Sequence, residues 1–323
     1  MPACVRWGRE ALRTDSPQLA VVTVTHNSAH VIGRWIDSLE ATGHRERMEL
    51  CVVDSGSSPD QRDMLGERVA PRVDVLRTCP NLGYGRCCNV GAGATTAATI
   101  LFTNPDTRVR SLPVAVLERG ATDGRVIGAY KALETGERLP LGFKHSPTAL
   151  WEAQKLVLGR WSRAYVRSIS SPAWVSGSAL LVGRAEFERV GGFSDELFLY
   201  FEDADLCARH RALGGRVAVD AGFVVEHGSG KSSEPADEER LLGAREAVSR
   251  LSARIFAARH GSRWHRPMLY ALLAIAYMPR RAIAVLLQRR TPGDGLASYV
   301  ADLLVPRRVL RRLGVPDADR AGS

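Results

Sequence analysis

The sequence of 323 residues lacks the cysteine patterns that stabilise small secreted proteins. It has six cysteines, and no two of them have the Cys-x-x-Cys spacing of a zinc knuckle or a redox site. They are Cys4, Cys51, Cys79, Cys87, Cys88 and Cys207, scattered through apolar segments. This distribution argues against a disulfide framework and a zinc site, and it favours a reducing compartment.

The sequence also lacks a long uninterrupted apolar run. The first residues include Arg6, Arg9 and Arg13 but no apolar core of a signal peptide, so we expect none. Residues 268–278 are nearly all apolar, but Pro-Arg-Arg at 279–281 interrupts them well short of the roughly 20 residues that a spanning helix needs. We therefore expect a cytoplasmic protein that does not span a membrane.

Lysine is absent from the basic C-terminal part of the chain. Residues 250–312 contain thirteen arginines and two acids, a net charge of +11, whereas the whole chain carries +9, so the remainder carries −2. Arginines around an apolar segment, with Trp264 and Tyr270 nearby, favour a helix lying in an anionic membrane interface. A basic helix packed on the main domain is the alternative. Nucleic acid is not expected as a partner, since residues 250–312 contain no lysine and no motif of nucleic-acid recognition.

Two glycine-rich stretches lack residues that a nucleotide-binding loop requires. Gly83 and Gly85 follow a strand, but Cys88 occupies the third glycine position of the dinucleotide fingerprint. Residues 228–232 end in Gly-Lys-Ser but lack the first glycine of a phosphate loop. A nicotinamide site is therefore not expected, and Gly83 should instead permit a tight turn and close packing of helix on sheet.

From Leu19 onward the sequence alternates between strand and helix patterns. Apolar, β-branched runs predict strands at 19–25, 50–54, 73–76 and 99–103, with helices between them. This rhythm predicts an α/β fold with a parallel sheet between two layers of helices and with ligands at the carboxyl ends of the strands. The polar residues at those ends are Thr25, His26, Asn27, Asp54, Ser55, Asn104 and Asp106.

An acidic cluster follows the apolar run 197–201. Glu202, Asp203 and Asp205 fall within four residues, so they should be held at the edge of the core, where crowded carboxylates resist ionisation. A structural alternative is an acidic first helical turn favoured by the helix dipole, with Arg209 and Arg211 as ion-pair partners.

The order of these motifs resembles that of the inverting nucleotide-sugar glycosyltransferases of family two. Their GT-A fold implies a mixed, mainly parallel sheet between helices, here with a C-terminal helical appendage. The likeness covers residues 19–232 and rests on short motifs that are weak singly. They are Val-Thr-Val-Thr-His-Asn at 22–27, Val-Val-Asp-Ser-Gly-Ser at 52–57, Asn-Leu-Gly-Tyr-Gly at 81–85, Asn-Pro-Asp-Thr at 104–107, Ser-Gly-Ser-Ala-Leu-Leu-Val at 176–182, the stretch 191–209, and His227. The motif at 81–85 and the basic tail 259–267 are particularly similar to bacterial rhamnosyltransferases of cell-wall and polyprenyl-linked glycans.

The resemblance implies a role for each matching position. Asp203, with Glu202 beside it, matches the general base. Asp106 matches a ligand of Mg²⁺ or Mn²⁺, and His227 matches the histidine that completes this metal site or contacts the diphosphate. A dTDP- or UDP-sugar would contact Thr25, His26, Asn27, Asp54, Ser55, Gly83, Asn104 and Asp106. A glycan or lipid-linked acceptor would contact Trp174, Ser176, Gly177 and Asp205, and residues 250–312 would contact the anionic membrane surface. The protein would then lie at the inner face of a bacterial plasma membrane. Asn104 stands where the family's metal motif has its first acid, which weakens the case for two carboxylate ligands.

The resemblance also sets domain boundaries and leaves alternatives. It implies a flexible leader at 1–17, a catalytic domain at 18–235, a basic helical segment at 236–312 and a disordered tail at 313–323. A sugar nucleotidyltransferase is one alternative, although Thr-His-Asn replaces its glycine-rich loop after the first strand. A non-catalytic module of the same fold is another, and the presence of Asp106, Asp203 and His227 argues against it.

Overall fold

The computed structural model describes residues 5–7, 17–122, 124–143, 172–227, 248–249 and 251–261. The strands are β1 Val5–Trp7, β2 Leu19–Thr25, β3 Met48–Ser55, β4 Val75–Cys79, β5 Thr99–Thr103, β6 Thr107–Ser111, β7 Arg125–Ala132, β8 Arg138–Pro140, β9 Gly142–Phe143, β10 Trp174–Val175, β11 Ala179–Gly183 and β12 Arg216–His227. The helices are α1 Ala29–Glu40, α2 Pro59–Met64, α3 Tyr84–Gly93, α4 Val114–Thr122, α5 Arg184–Val190 and α6 Glu202–Ala212. Residues 248–249 and 251–260 are also helical, and we refer to 251–260 as the C-terminal helix.

The described strands form one large mixed sheet and one small one. The large sheet has the order β1-β4-β3-β2-β5-β11-β7-β12-β6, with β8 on β7, and β9 pairs with β10. Strands β4, β3, β2 and β5 are mutually parallel, and β12 is parallel to β7. Strand β11 runs antiparallel between β5 and β7. The predicted α/β fold with a mixed sheet is confirmed.

Helices cover both faces of this sheet, as the unbroken apolar strands predict. Along β2, Leu19 and Val21 join one buried cluster with Trp35 of α1. Ala20 and Val22 join a second cluster on the other face, which includes residues of α3, α5 and α6. Alternate side chains of a strand point to opposite faces, so each strand supplies both cores.

The third strand begins two residues later than predicted. Asp74 lies outside β4 because its Oδ2 accepts hydrogen bonds from Leu50 N (2.8 Å) and Arg45 Nη2 (3.0 Å). The carboxylate therefore takes the place of a strand carbonyl at this position, and the ladder with β3 starts at Val75.

Strand β12 continues through the polar and glycine residues 220–222 as one strand. The register of β12 on β7 shifts between Val219 and Val224, which is a bulge. Within the bulge the N–H of Gly222 donates to Oδ1 of Asp220 at 2.9 Å. The polar break in the sequence is thus accommodated inside the strand, and β12 reaches His227.

Residues 5–7, within the segment predicted as a leader, pair antiparallel with β4. Residues 144–171, the loop 228–232, most of the basic segment and the tail lie outside the described residues. Within the described part of the chain, no helix combines the length and apolar character that crossing a bilayer requires.

Candidate active site

Two buried polar side chains lie at the carboxyl ends of β2 and β3. Thr25 and Asp54 are register neighbours, and both residues are fully buried. Oδ1 of Asp54 accepts a hydrogen bond from Ser57 N at 3.1 Å, and burial raises the pKa of this carboxyl. Thr25 Oγ1 and Asp54 Oδ2 have no hydrogen-bond partner among the described residues. Buried polar atoms without partners are rare, so this end of the sheet is suited to donors from a ligand.

The loops after β2 and β3 are hydrogen-bonded to each other. The Nδ1–H of His26 donates to Ser55 O at 2.7 Å, which leaves its Nε2 as an acceptor. Asn27, with φ of 52°, donates from its N–H to Ser57 Oγ and accepts from Ser58 N, both at 2.8 Å. These contacts fix the two loops relative to each other, and both contacts of Asn27 are made to the protein itself.

Gly83 brings the loop before α3 against the loop before α6. Its φ is +85°, and a Cβ there would lie 2.2 Å from Phe198 O. The next N–H, that of Tyr84, donates to the same carbonyl at 2.8 Å. Only glycine allows this approach, so the predicted tight turn is present at Gly83. The close contact is with the loop before α6 and not, as predicted, between helix and sheet.

Asn104, Asp106 and His227 meet at the ends of β5 and β12. Asn104 Nδ2 lies 3.1 Å from His227 Nε2, and Asp106 Oδ1 lies 3.4 Å from the same nitrogen. The Asp106 side chain is only 6% exposed. The antiparallel pair between His227 and Thr107 fixes this arrangement, because β6 starts directly after Asp106. No group of three His, Cys, Asp or Glu side chains suited to a metal occurs among the described residues, so Asp106 and His227 form a pair.

Asp203 is held by main-chain hydrogen bonds at the start of α6. Its Oδ2 accepts from Gly177 N at 2.8 Å, and its Oδ1 accepts from Ala204 N at 2.7 Å. Burial raises the pKa of Asp203 to about 6, and these two N–H donors limit the rise. The carboxylate is therefore ionised at neutral pH and has a fixed orientation, as a general base requires.

Glu202 differs from its neighbour in charge. It is 6% exposed, and its Oε2 has no hydrogen-bond partner among the described residues. Burial, and then the charge of Asp203, raise the pKa of Glu202 to about 8. At neutral pH one proton therefore resides on Glu202 while Asp203 is charged, as expected for adjacent carboxyls in unequal environments.

A cavity of about 360 Å³ lies over Asp203. The predicted residues that line it are Asn104, Trp174, Ser176, Gly177, Glu202, Asp203 and His227. Trp174 stacks on Phe143 with ring centroids 3.9 Å apart and an angle of 12° between the rings. The cavity thus has an aromatic wall, which suits the apolar face of a sugar.

Asp205 does not line this cavity, although sequence analysis placed it beside the acceptor. It is completely buried and pairs with Arg209 Nε (2.8 Å), Arg259 Nη1 (3.2 Å) and His260 Nε2 (2.8 Å). The hydrogen bond to His260 and the charge of Arg209 lower the pKa of Asp205 despite its burial. The structural alternative is correct for this residue and for Arg209, whereas Arg211 donates to Pro172 O.

Sequence reasoning missed several residues of the cavity. Tyr84 is the most informative, because its hydroxyl donates to Gly177 O at 2.9 Å. It lies in the motif at 81–85, so the signal for it was present. Leu199, Tyr200 and Phe201 also line the cavity, and they belong to the apolar run 197–201 that precedes the acidic cluster. Ser249 lines it too, and no local pattern marks that residue.

Comparison with known proteins finds a likeness in the first part of the sheet. Residues 20–120 match the family model for glycosyl transferase family 2. Over these residues the chain is similar to the glycosyltransferases of that family. The match spans β2 to α4, which carry Thr25, Asp54 and Asp106, and it confirms the resemblance read from the motifs.

A relative extends the likeness beyond this domain. N-acetylglucosaminyl-diphospho-decaprenol L-rhamnosyltransferase of Mycobacterium tuberculosis is 29% identical over 282 residues, which are 79% of this chain and 89% of the relative. The protein from a second strain matches equally. This glycosyltransferase is thus homologous to a rhamnosyltransferase that acts on a sugar linked to polyprenyl diphosphate.

A solved structure confirms the GT-A fold. The mannosyltransferase PcManGT from Pyrobaculum calidifontis, in complex with GDP-Man and Mn²⁺, has a TM-score of 0.53 and is 16% identical. The alignment covers 96% of this chain and 89% of the other. At this identity the likeness concerns the fold alone.

Proposed function

We propose that this glycosyltransferase moves L-rhamnose from dTDP-rhamnose to a hydroxyl of a saccharide linked to polyprenyl diphosphate, with inversion at the anomeric carbon. The observation that carries the proposal is the fixed, ionised carboxylate of Asp203 in a cavity whose other wall holds Asn104 and His227. The rhamnosyltransferase relative supports the sugar and the lipid-linked acceptor.

The donor occupies the carboxyl ends of β2, β3 and β5. Asp54 Oδ2 and Thr25 Oγ1 are buried and lack partners in the described part of the chain, so they are available to the N–H groups of a pyrimidine base. Asn104 and His227 lie farther along the same edge, at the cavity. The diphosphate therefore lies between the base and Asp203.

A divalent cation, Mg²⁺ or Mn²⁺, fits beside Asp106. Asp106 Oδ1 and His227 Nε2 are 3.4 Å apart, and two ligands that each lie about 2.1 Å from one ion are roughly 3 Å apart. Diphosphate oxygens and water would complete the shell of a hard cation. When bound, the cation neutralises charge on the leaving diphosphate.

The chain's own residues then perform one displacement. Asp203 accepts the proton of the acceptor hydroxyl while that oxygen bonds to the anomeric carbon. The bond from the anomeric carbon to the diphosphate breaks, and its electron pair leaves with the nucleoside diphosphate. Gly177 N–H and Ala204 N–H orient the carboxylate. A single attack opposite the leaving group inverts the configuration, and Trp174 packs on the acceptor sugar.

The variant Asp203→Asn tests the base. We expect the rate of transfer to fall by about 10²-fold or more while the dissociation constant of the donor stays within twofold. Asp195→Asn is the control, since its side chain is 76% exposed and pairs with Arg86. Turnover of Asp203→Asn at the wild-type rate would disprove the assignment.

A panel of nucleotide-sugars tests the donor and the cation together. We expect dTDP-rhamnose to raise the melting temperature with Mg²⁺ or Mn²⁺, and Asp106→Asn to abolish the metal-dependent part. Stabilisation by UDP-sugars and not by dTDP-rhamnose would contradict dTDP-rhamnose as the donor and indicate a UDP-sugar. An NMR measurement of the product's anomeric configuration tests inversion.

Contact with the membrane rests on the arginines of residues 250–312. A lipid-diphosphate acceptor lies in an anionic surface, and such a surface attracts basic segments. We expect deletion of residues 263–312, which leaves the described residues intact, to release the protein from anionic liposomes. Binding that is equal on neutral and anionic liposomes would contradict this proposal.

A further inference from the structure

The C-terminal helix contacts the same helix that carries Asp203. His260 Nε2 donates to Asp205 Oδ1 at 2.8 Å, and Arg259 Nη1 reaches that oxygen at 3.2 Å. Asp205 is completely buried, two residues after Asp203. These donors come from about 55 residues further along the chain, beyond the family domain at 20–120.

The same helix supports the turn that leads into α6. Ser252 Oγ donates to Leu199 O at 2.7 Å, and the Phe256 ring lies 5.8 Å from the ring of Phe201. Tyr200 and Phe201 have positive φ angles of 69° and 66°. Two consecutive non-glycine residues in the left-handed region persist only where surrounding contacts enforce them.

Asp205 joins four segments. Arg209 binds its Oδ2 and also donates to Val190 O (2.6 Å) and Gly192 O (2.8 Å), which connects α6 to the end of α5. Arg259 in addition binds Ser194 Oγ at 2.7 Å and Glu196 at 2.8 Å. A change at Asp205 therefore shifts the first turn of α6 relative to Gly177.

We infer that His260 and Arg259 are positioning residues for sugar transfer, which act through Asp205 to set the orientation of Asp203. The inference rests on the proposed function of Asp203 as the base. It extends the catalytic unit beyond the proposed domain 18–235 to residue 260. Neither residue lines the cavity, so their effect is on the rate of the chemical step rather than on donor binding.

The test measures kcat per donor-binding site, so that any unfolded fraction is excluded. We expect His260→Ala to lower kcat by about 10- to 100-fold with an unchanged donor dissociation constant. His260→Gln, whose Nε2 can donate to the same oxygen, should stay within about threefold of wild type. Arg72→Ala is the control, because Arg72 pairs with Asp37 and Glu40 on α1; its kcat should be unchanged.

A double-mutant cycle identifies the route. If His260 acts through Asp205, His260→Ala should lower kcat less than about twofold in an Asp205→Asn background. If His260→Ala does not fold, Arg259→Ala provides the same comparison, since it retains the His260 contact.

Three outcomes would overturn the inference. The first is a wild-type kcat in the alanine variants. The second is an equal fall in kcat in His260→Ala and His260→Gln. The third is a double mutant whose fall in kcat is the product of the falls in His260→Ala and Asp205→Asn. Asp203→Asn in the same assay separates the two hypotheses. Turnover by that variant rejects the proposed base, whereas an inactive Asp203→Asn beside a fully active His260→Ala rejects only this inference.

Discussion

Gly177 connects Asp203 to Tyr84. Its N–H donates to Asp203 Oδ2 at 2.8 Å, and its carbonyl accepts from the Tyr84 hydroxyl at 2.9 Å. The two partners belong to α6 and α3, on either side of one glycine between β10 and β11. The position of the carboxylate is therefore determined jointly by three segments of the chain.

Gly177→Ala should impair acceptor use without unfolding the protein. An added Cβ would lie 3.6 Å from Asp203 Oδ2 and 3.4 Å from its Cβ, which are ordinary contact distances. The methyl group would nevertheless occupy the cavity where the acceptor hydroxyl approaches, so we expect kcat/KM for the acceptor to fall about tenfold or more. Gly33→Ala, in α1 with no atom within 4 Å, is the control and should keep full activity.

Tyr84→Phe should lower stability more than activity. It removes the hydrogen bond to Gly177 O and leaves that carbonyl without this partner, which costs about 1–2 kcal/mol. Urea unfolding should show a lower midpoint with an unchanged slope, and kcat should fall by only a few-fold because Gly177 N still orients Asp203. An unchanged urea midpoint would show that the hydroxyl contributes nothing.

Activity should rise with pH through the pKa of Asp203. Because the carboxylate is the base and its pKa is raised to about 6, kcat/KM should show an acid limb with a midpoint near that value. The midpoint belongs to the coupled pair with Glu202 rather than to one residue alone. A profile that stays flat down to pH 5 would contradict Asp203 as the base.

Glu202→Gln should keep activity at neutral pH and gain stability at higher pH. The pKa of Glu202 is about 8 in the folded protein and 4.5 in the unfolded chain. Between these two values the folded state holds a proton that the unfolded state releases. Stability of the wild type therefore falls as pH rises from 4.5 to about 8. The melting temperature of Glu202→Gln minus that of wild type should increase over the same range, and a constant difference would refute the raised pKa.

Gly83→Ala should destabilise far more than Gly43→Ala. Both glycines have positive φ, +85° and +75°, but only at Gly83 would a Cβ meet main-chain atoms, with Phe198 O at 2.2 Å. We expect Gly43→Ala to cost about 1 kcal/mol for the left-handed conformation alone. Gly83→Ala should cost more than about 3 kcal/mol, since the loop before α6 must move. Equal urea midpoints would mean that the contact with Phe198 is unimportant.

Local sequence determined the framework of this protein. The apolar runs at 19–25 and 99–103 predicted their strands, because the side-chain pattern of a buried strand is visible in consecutive residues. The turn residues that follow the strands placed Thr25 and Asp54 at the carboxyl edge of the sheet. The acidic start and basic end of α6 were also visible in the sequence, since both complement the helix dipole.

Only the tertiary structure gave the acids of α6 their separate roles. Asp203 meets a main-chain donor 26 residues away, whereas Asp205 accepts a hydrogen bond from His260, 55 residues away. Glu202 Oε2 has no hydrogen-bond partner in the described part of the chain, and Glu202 keeps its proton at neutral pH. A carboxylate's charge depends on its burial and on the donors that surround it, and folding brings those donors together from distant parts of the chain.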